Sequence, residues 1–379
     1  MTVPQPLSSL RERVVMPRLN RPDPWLLIAA AGLVGLGIVM VFNASYFHAQ
    51  ERYGDALIFF RKHLVAVACG TALLLLVSHV RLDWFERIAY PAFVCIMVVL
   101  VLVWVPGLGV VRNGARRWID IGPLCFQPSE LAKMFVVFFL ARSMARKRER
   151  MATFFTGLLP HLIVVGLCAL LVVLQPDFGT AAILLLVSML MLFGGGARPA
   201  HLAGLALAAV PLVALALHQA PYRWRRILAF VDPWRYSQDI AFQLVQSLIA
   251  FGSGGMTGVG LGGSKQKMFF LPEAHTDFIF ALIGEELGFF GALAVLSLFA
   301  VVGIRGFRIA MRHPDPFASL LALGITLVIL LEAIVNVGVV LGLLPTKGLV
   351  LPFLSYGGSA LVATMVEVGI LASLSRMTG

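Results

Sequence analysis

The sequence predicts an all-α polytopic membrane protein with ten transmembrane helices. Composition is the first observation behind this: of 379 residues, 59% are hydrophobic and 13% charged, and the mean hydropathy of +0.91 lies outside the range of soluble globular domains. The second is run length. A helix needs about 20 apolar residues to cross the hydrocarbon, and the runs here are of that length, whereas barrel strands alternate and have none. The third is the placement of the basic residues, taken up with the segments below.

Apolar segments follow one another at 25–45, 57–78, 85–105, 128–144, 154–174, 178–196, 199–217, 278–304, 317–343 and 350–374, each bounded by charged or Gly/Pro clusters. The first continues too long for a cleavable signal and reads as a retained span behind a polar, basic N-terminal tail, 1–24. Residues 25–376 then form a single membrane domain with both termini on one side. Placing them in the cytoplasm puts Arg11, Arg13, Arg18 and Arg21, the cluster Arg142, Arg146, Lys147, Arg148 and Arg150, and then Arg305, Arg308 and Arg312 inside, as the positive-inside rule requires. The segment 218–276 is then a large extracytoplasmic loop. Its apolar stretch Ile240–Phe251 reads as an interfacial helix, and the glycines from Gly252 to Gly263 as a flexible turn.

Some chemistry is excluded at once. Cys69, Cys95, Cys125 and Cys168 form no CxxC pair, so neither a zinc site nor a disulfide framework is indicated. The formal charge of +11 is accounted for by cytoplasmic retention and by two outward clusters, Arg112, Arg116, Arg117 and Arg223, Arg225, Arg226, with no nucleic-acid motif. Guanidinium clusters facing outward suit a phosphate-bearing ligand, or else the anionic headgroups of the outer leaflet.

Candidate residues concentrate in a few stretches. Lys265, Lys267, Glu273, His275 and Asp277 fall within thirteen residues leading into the eighth span. Asp277 is either a helix-start residue or a general base, with Thr276 as the helix cap and the helix dipole holding the carboxylate ionised. In the loop 109–127, Arg116 and Arg117 suit a diphosphate, and Trp118 either stacks on a sugar or anchors at the interface. Ionisable groups inside spans are costly and mark function or pairing: Glu130 and Lys133 stand three apart on one helix face, and Glu285, Glu286, Glu332 and Glu367 lie in later spans. Asp177 sits in a short outward turn between Pro176 and Gly179, facing a central polar cavity. Ser355 and Tyr356 supply hydroxyls beside Gly357 and Gly358, which suit close helix packing. His48, His63, His161 and His201 stand isolated and receive no role.

Taken together, GARRWIDIGPLCFQPSELAK (114–133), QPDFGTA (175–181), LPEAHTDFIFALIGEELGFFG (271–291) and PTKGLVLPFLSYGGSAL (345–361) resemble the SEDS family of FtsW and RodA proteins almost end to end. The opening DPWLLIAAAGLVGLGIVMVFNAS, PEAHTDF and TKG are closer to the FtsW branch. The departures are NAS at 43–45 and Glu367 in the last span.

The resemblance implies the SEDS fold in the bacterial inner membrane, and a peptidoglycan glycosyltransferase that polymerises lipid II, working in cell division. It carries a role onto Asp277, the aspartate of HTDF, which takes the proton of the acceptor GlcNAc 4-hydroxyl as that oxygen attacks the donor MurNAc C1. Undecaprenyl diphosphate leaves, and the anomeric configuration inverts. Arg116, Arg117 and Lys265 or Lys267 are candidates to meet the diphosphate, with room for a divalent cation, Mg or Mn, to share that work. Implied partners are a class B penicillin-binding transpeptidase and other divisome proteins. The alternative is a lipid II flippase, which needs polar groups along the whole path, whereas the candidates here crowd at the outer face.

Overall fold

In a computed structural model, residues 21–112, 114–121, 124–218 and 221–377 are described. Side chains are described for the same residues except 112, 121, 124, 125, 212–218, 221–223 and 269, so Arg11, Arg13 and Arg18 and the side chains of Arg112, Arg223 and Cys125 lie outside.

The chain is mostly helical. Its helices are α1 Pro24–Tyr53, α2 Ile58–Val77, α3 Leu82–Leu102, α4 Pro128–Arg146, α5 Leu159–Leu174, α6 Phe178–Gly194, α7 Pro199–His218, α8 Pro221–Val231, α9 Phe242–Gly254, α10 Ile279–Arg312, α11 Pro316–Val340 and α12 Gly358–Ser375. Among the described residues, seven helices are long and apolar enough to cross a membrane, and this is a multi-pass membrane protein: α1, α2, α3, the run Phe154–Leu174 that contains α5, α10, α11 and α12.

The two ends of the bundle differ. At one, Asp23 caps α1 by accepting from the N–H groups of Trp25 (3.1 Å) and Leu26 (3.2 Å), pairs with Arg305 of α10 (2.5 Å), and donates its own N–H to Ser375 at the end of α12 (3.0 Å). At the other end Gln127, just before α4, donates its N–H to Ser359 of α12 (3.1 Å) and its side-chain amide to Asp177 at the start of α6 (2.9 Å). Asp277, at the start of α10, lies at this second end, opposite Arg305.

Three features depart from expectation. First, the loop 109–127 is a sheet: β1 Gly109–Arg112, β2 Ala115–Ile121 and β3 Leu124–Phe126 pair antiparallel in the order β1-β2-β3, with Arg112 opposite Ala115. The Asn113-Gly114 dipeptide between that pair is the strongest short-range hairpin signal a sequence carries. Second, the last helix begins at Gly358 rather than 350. Pro352 has no N–H, Phe353 has a positive φ of 66°, and Ser355 Oγ accepts from Leu351 N–H (2.8 Å), closing a local turn instead.

Third, the glycine run after α9 is built into the fold at Gly254, Gly255, Gly258 and Gly260. Helix α10 is broken at Gly288 (φ 65°, ψ −163°), and the freed backbone pairs with the run: Val259 and Gly260 donate to the carbonyls of Glu285 and Glu286 (both 3.0 Å), and Phe289 donates to that of Gly255 (2.9 Å). A Cβ on Gly254 or Gly258 would collide with the carbonyls of Gly284 or Glu286. Backbone pairing of this kind is what a broken helix needs in a low-dielectric setting.

Candidate active site

Asp277 lies two residues before α10, on a segment held from several directions. Its N–H donates to the Glu273 carbonyl (3.1 Å), its carbonyl accepts from Asn336 Nδ2 of α11 (2.9 Å), and the carbonyl of neighbouring His275 accepts from Tyr356 N–H (2.9 Å). Thr276 does not cap the helix: its hydroxyl turns back to Glu273, to the carbonyl at 3.0 Å and the carboxylate at 3.1 Å, and the cap position is Phe278, without a side-chain cap. Asp277 thus stands one residue outside the cap of α10. Burial pushes its carboxyl up to about 7, the Glu273 carboxylate adds in the same direction, and the Arg117 guanidinium opposes both. A carboxyl with its midpoint near neutrality, in a residue that is mostly but not fully buried, is matched to proton abstraction at physiological pH.

The arginines divide. Strand β2 alternates its side chains, so Arg116 and Arg117 face opposite ways. Arg116 donates to the Trp104 carbonyl (3.3 Å), whereas Arg117 reaches the turn before α6, donating to the carbonyls of Gln175 (3.0 Å) and Pro176 (2.5 Å), with Asp177 at 4.0 Å. Arg117 thus acts on two carboxyls, Asp177 at 4.0 Å and Asp277, which it holds down against burial. Trp118 is half-buried on the same strand.

Asp177 does not open onto a polar cavity. It is buried and caps α6, accepting from Thr180 N–H (3.3 Å), Thr180 hydroxyl (3.0 Å), Gln127 (2.9 Å) and Ser129 (3.3 Å). Ser355 is buried in its turn. Glu130 and Lys133 pair at 2.8 Å, and Lys133 also pairs with Glu332 of α11; all three are buried in the bundle, with Glu367 of α12 near enough to feel them.

Lys267 turns inward, only 5% exposed. It donates to Asn43 Oδ1 (2.6 Å), the Gly262 carbonyl (2.7 Å) and Glu286 (3.2 Å). Glu285 and Glu286 also receive the N–H groups of Lys265 (3.0 Å) and Ser264 (3.3 Å), so the two carboxylates clamp this loop. Lys265 itself and Glu273 are exposed.

His275 is buried against an aromatic group: its ring centroid lies 5.0 Å from Phe59, 5.5 Å from His48 and 5.8 Å from Tyr356. Burial holds its imidazole down at about 4; Glu273 opposes that and His48 adds to it, so it is neutral at physiological pH.

Sequence reasoning missed Asn336, Lys347 and Gly348. Lys347 donates to the Phe178 carbonyl (3.3 Å), Arg226 of α8 to that of Thr346 (3.3 Å), and Gly348 lies directly against the Asp277 carboxylate. The signal was an amide near the end of an apolar span and a Lys-Gly pair in the loop after it. Among the described residues no group of three or more His, Cys, Asp or Glu side chains is placed to hold a metal ion. A Mg or Mn ion on a diphosphate needs only one or two protein carboxylates beside the phosphate oxygens, so a divalent cation stays a proposal, and the chemistry below is derived from side chains alone.

Residues 24–379 match the family model of the FtsW, RodA and SpoVE proteins, described as cell cycle proteins. A probable peptidoglycan glycosyltransferase FtsW of Geobacter metallireducens is 39% identical over 98% of this chain and 99% of its own length. Stage V sporulation protein E of Bacillus subtilis is 40% identical, over 94% of this chain and 97% of its own. Among solved structures, a chain of a peptidoglycan synthase complex that coordinates polymerization and crosslinking is similar with a TM-score of 0.78 and 29% identity, covering 94% of this chain and 98% of that one. The rod shape determining protein RodA of Thermus thermophilus is similar with a TM-score of 0.69 and 28% identity, covering 94% and 97%.

Proposed function

From the premise that the chain belongs to the FtsW/RodA/SpoVE family and is a peptidoglycan glycosyltransferase, we propose that Asp277 is the general base of lipid II polymerisation. The observation that carries this is the seat of the Asp277 carboxylate just before α10, its main chain held by Glu273 and Asn336 and its carboxyl against Gly348, where burial raises its midpoint and Arg117 acts on it. In the step, Asp277 takes the proton of the acceptor 4-hydroxyl while that oxygen forms a bond to the donor C1. The bond from C1 to the diphosphate oxygen breaks, and undecaprenyl diphosphate departs with the electron pair. One displacement inverts C1, so a single base and a stabilised leaving group suffice. Arg117 is a cation acting on Asp277 and supplies field to the departing diphosphate, worth most where water is excluded. Arg116 and exposed Lys265 are the further basic candidates, and Trp118, Glu273 and His275 border the acceptor side. Lys267, Asp177, Ser355, Glu130 and Lys133 serve the reaction by holding the frame.

The scaffold reading goes with it. To the seven apolar helices we add α4, α6 and α7, making ten spans. Helix α4 is less apolar because it carries Glu130 and Lys133, which are paired, and Arg142 and Arg146 toward its end, and α6 is a shorter apolar helix. Arg142 to Arg150 and Arg305 to Arg312 share the end of the bundle with Asp23 before α1 and Ser375 at the end of α12, which supports a cytoplasmic placement of that end and an extracytoplasmic site in the inner membrane. Likeness to a chain of a synthase complex supports a class B penicillin-binding transpeptidase as partner, and the family supports work in cell division beside other divisome proteins.

The experiment is reconstitution with that partner in liposomes containing lipid II, following both glycan chain formation and lipid II movement between leaflets. Glycan formation supports the proposal. Rapid movement of lipid II with no glycan made would replace it with the flippase.

A further inference from the structure

Asp277 is held at two points that neither its own motif nor the family names above assign. We infer that Asn336 and Gly348 are positioning residues for the transfer reaction, Asn336 fixing the main chain that carries Asp277 and Gly348 leaving the space its carboxylate occupies. The inference rests on Asp277 being the base.

Asn336 lies in the last turns of α11 and is 2% exposed. Its Nδ2 spends both hydrogens on backbone carbonyls from two separate segments: that of Asp277, at 2.9 Å, and that of Leu349 in the loop leading to α12. Its Oδ1 is buried without a partner. The orientation of the amide is thereby determined, because turning it over would set Oδ1 against two carbonyl oxygens. One side chain thus staples the Asp277 segment to the Thr346–Leu349 segment. A buried carbonyl stripped of its donor carries its full desolvation cost, and here two would be stripped together.

Gly348 completes the seat. A Cβ there would come within 2.6 Å of Asp277 Oδ2, a distance real side chains do not tolerate. Its φ lies outside the left-handed region, so alanine strains no backbone and the collision falls on the carboxylate alone. The loop cannot easily yield: Thr346 is held by Arg226, Lys347 holds the Phe178 carbonyl, and Leu349 is held by Asn336. A methyl at 348 therefore turns the Asp277 carboxylate away, toward water.

The charges that act on that carboxylate are Glu273 on its own segment and Arg117 from β2; His275 stands two residues before it, Lys347 next to Gly348 holds the Phe178 carbonyl, and neutral Asn336 from α11 holds its main chain. None is altered by a methyl at 348. The acid limb of the rate profile then reports carboxylate placement: a carboxylate moved toward water loses part of the burial that raises its midpoint, so the limb moves to lower pH.

The test uses the full chain with its transpeptidase partner, lipid II as probe, and the variants Gly348→Ala, Asn336→Ala and Asp277→Asn, measuring kcat, KM, pH profile and melting temperature. Expected for Gly348→Ala is unchanged melting, KM within about twofold and a kcat loss of roughly 10- to 100-fold, the scale of an ångström-sized misplacement, with the acid limb moved to lower pH. Asn336→Ala lowers kcat in the same way. Should Asn336→Ala fail to fold, Gly348→Ala decides alone. If Asp277→Asn is inactive while Gly348→Ala keeps wild-type kcat and limb, or changes KM only, the inference is overturned and the base reading stands. An Asp277→Asn enzyme as active as wild type removes the base reading and the inference with it.

Discussion

The pH dependence of glycan synthesis follows from the surroundings of one carboxyl. Burial and the Glu273 carboxylate raise the midpoint of Asp277 from 3.8 to about 7, against the pull of Arg117. A general base works ionised, so activity falls as pH falls through that midpoint, by about tenfold between pH 8 and pH 6. The neighbouring imidazole of His275, held down at about 4, does not titrate in this window. Two substitutions move the limb in opposite directions. Glu273→Gln removes a repelling charge and moves the midpoint to lower pH, while Arg117→Gln removes an attracting one and moves it higher, each by roughly half to one pH unit or less, since Glu273 is exposed and water screens it. The assay is kcat for lipid II polymerisation from about pH 5.5 to pH 8.5, read as the midpoint and not the height, since Arg117→Gln also lowers the plateau. A flat profile across that range, or both variants moving the limb the same way, refutes the reasoning.

Other consequences concern the frame. Lys133→Met leaves the buried carboxylates of Glu130 and Glu332 facing each other without their cation, and is expected to cost about 3–5 kcal/mol in detergent-solubilised unfolding; a loss under about 1 kcal/mol contradicts the triad's role. Gly258→Ala forces a methyl onto the Glu286 carbonyl at a φ of 82° and is expected to destabilise by roughly 1–3 kcal/mol, whereas a flexible glycine turn predicts no change in melting. Asp277→Asn removes a carboxyl whose folded midpoint is raised, so its cost to the fold is absent below 3.8 and complete above about 7. The variant should therefore melt higher than wild type at about pH 8 and converge with it toward about pH 4, and a lower melting temperature at both ends contradicts the burial assigned to Asp277.

Much of the architecture was legible because membrane helices announce themselves by apolar length, and α1, α2, α3, α10 and α11 each fall on a run read from the sequence. Asp277 and Arg117 were legible as chemistry, and they do meet in electrostatic reach. Pairing across the chain was not legible. Nothing in the run 252–263 says that its glycines are there so that a broken α10 can recover its backbone hydrogen bonds, because flexibility and close approach ask for the same residue. The sheet at 109–126 was masked by its arginines, although Asn113-Gly114 carried the signal. Asp177 looked like a cavity residue because its neutral donors, Gln127, Ser129 and Thr180, come from two elements. Asn336 was invisible for a similar reason: its partners are backbone carbonyls, which have no sequence.

The most direct test is single-turnover glycan formation from prebound lipid II by Asp277→Asn. The account predicts that lipid II binds as in wild type while bond formation slows by about 10²–10⁴-fold, the contribution of a general base. A chemical step within about tenfold of wild type would show that the proton leaves by another route.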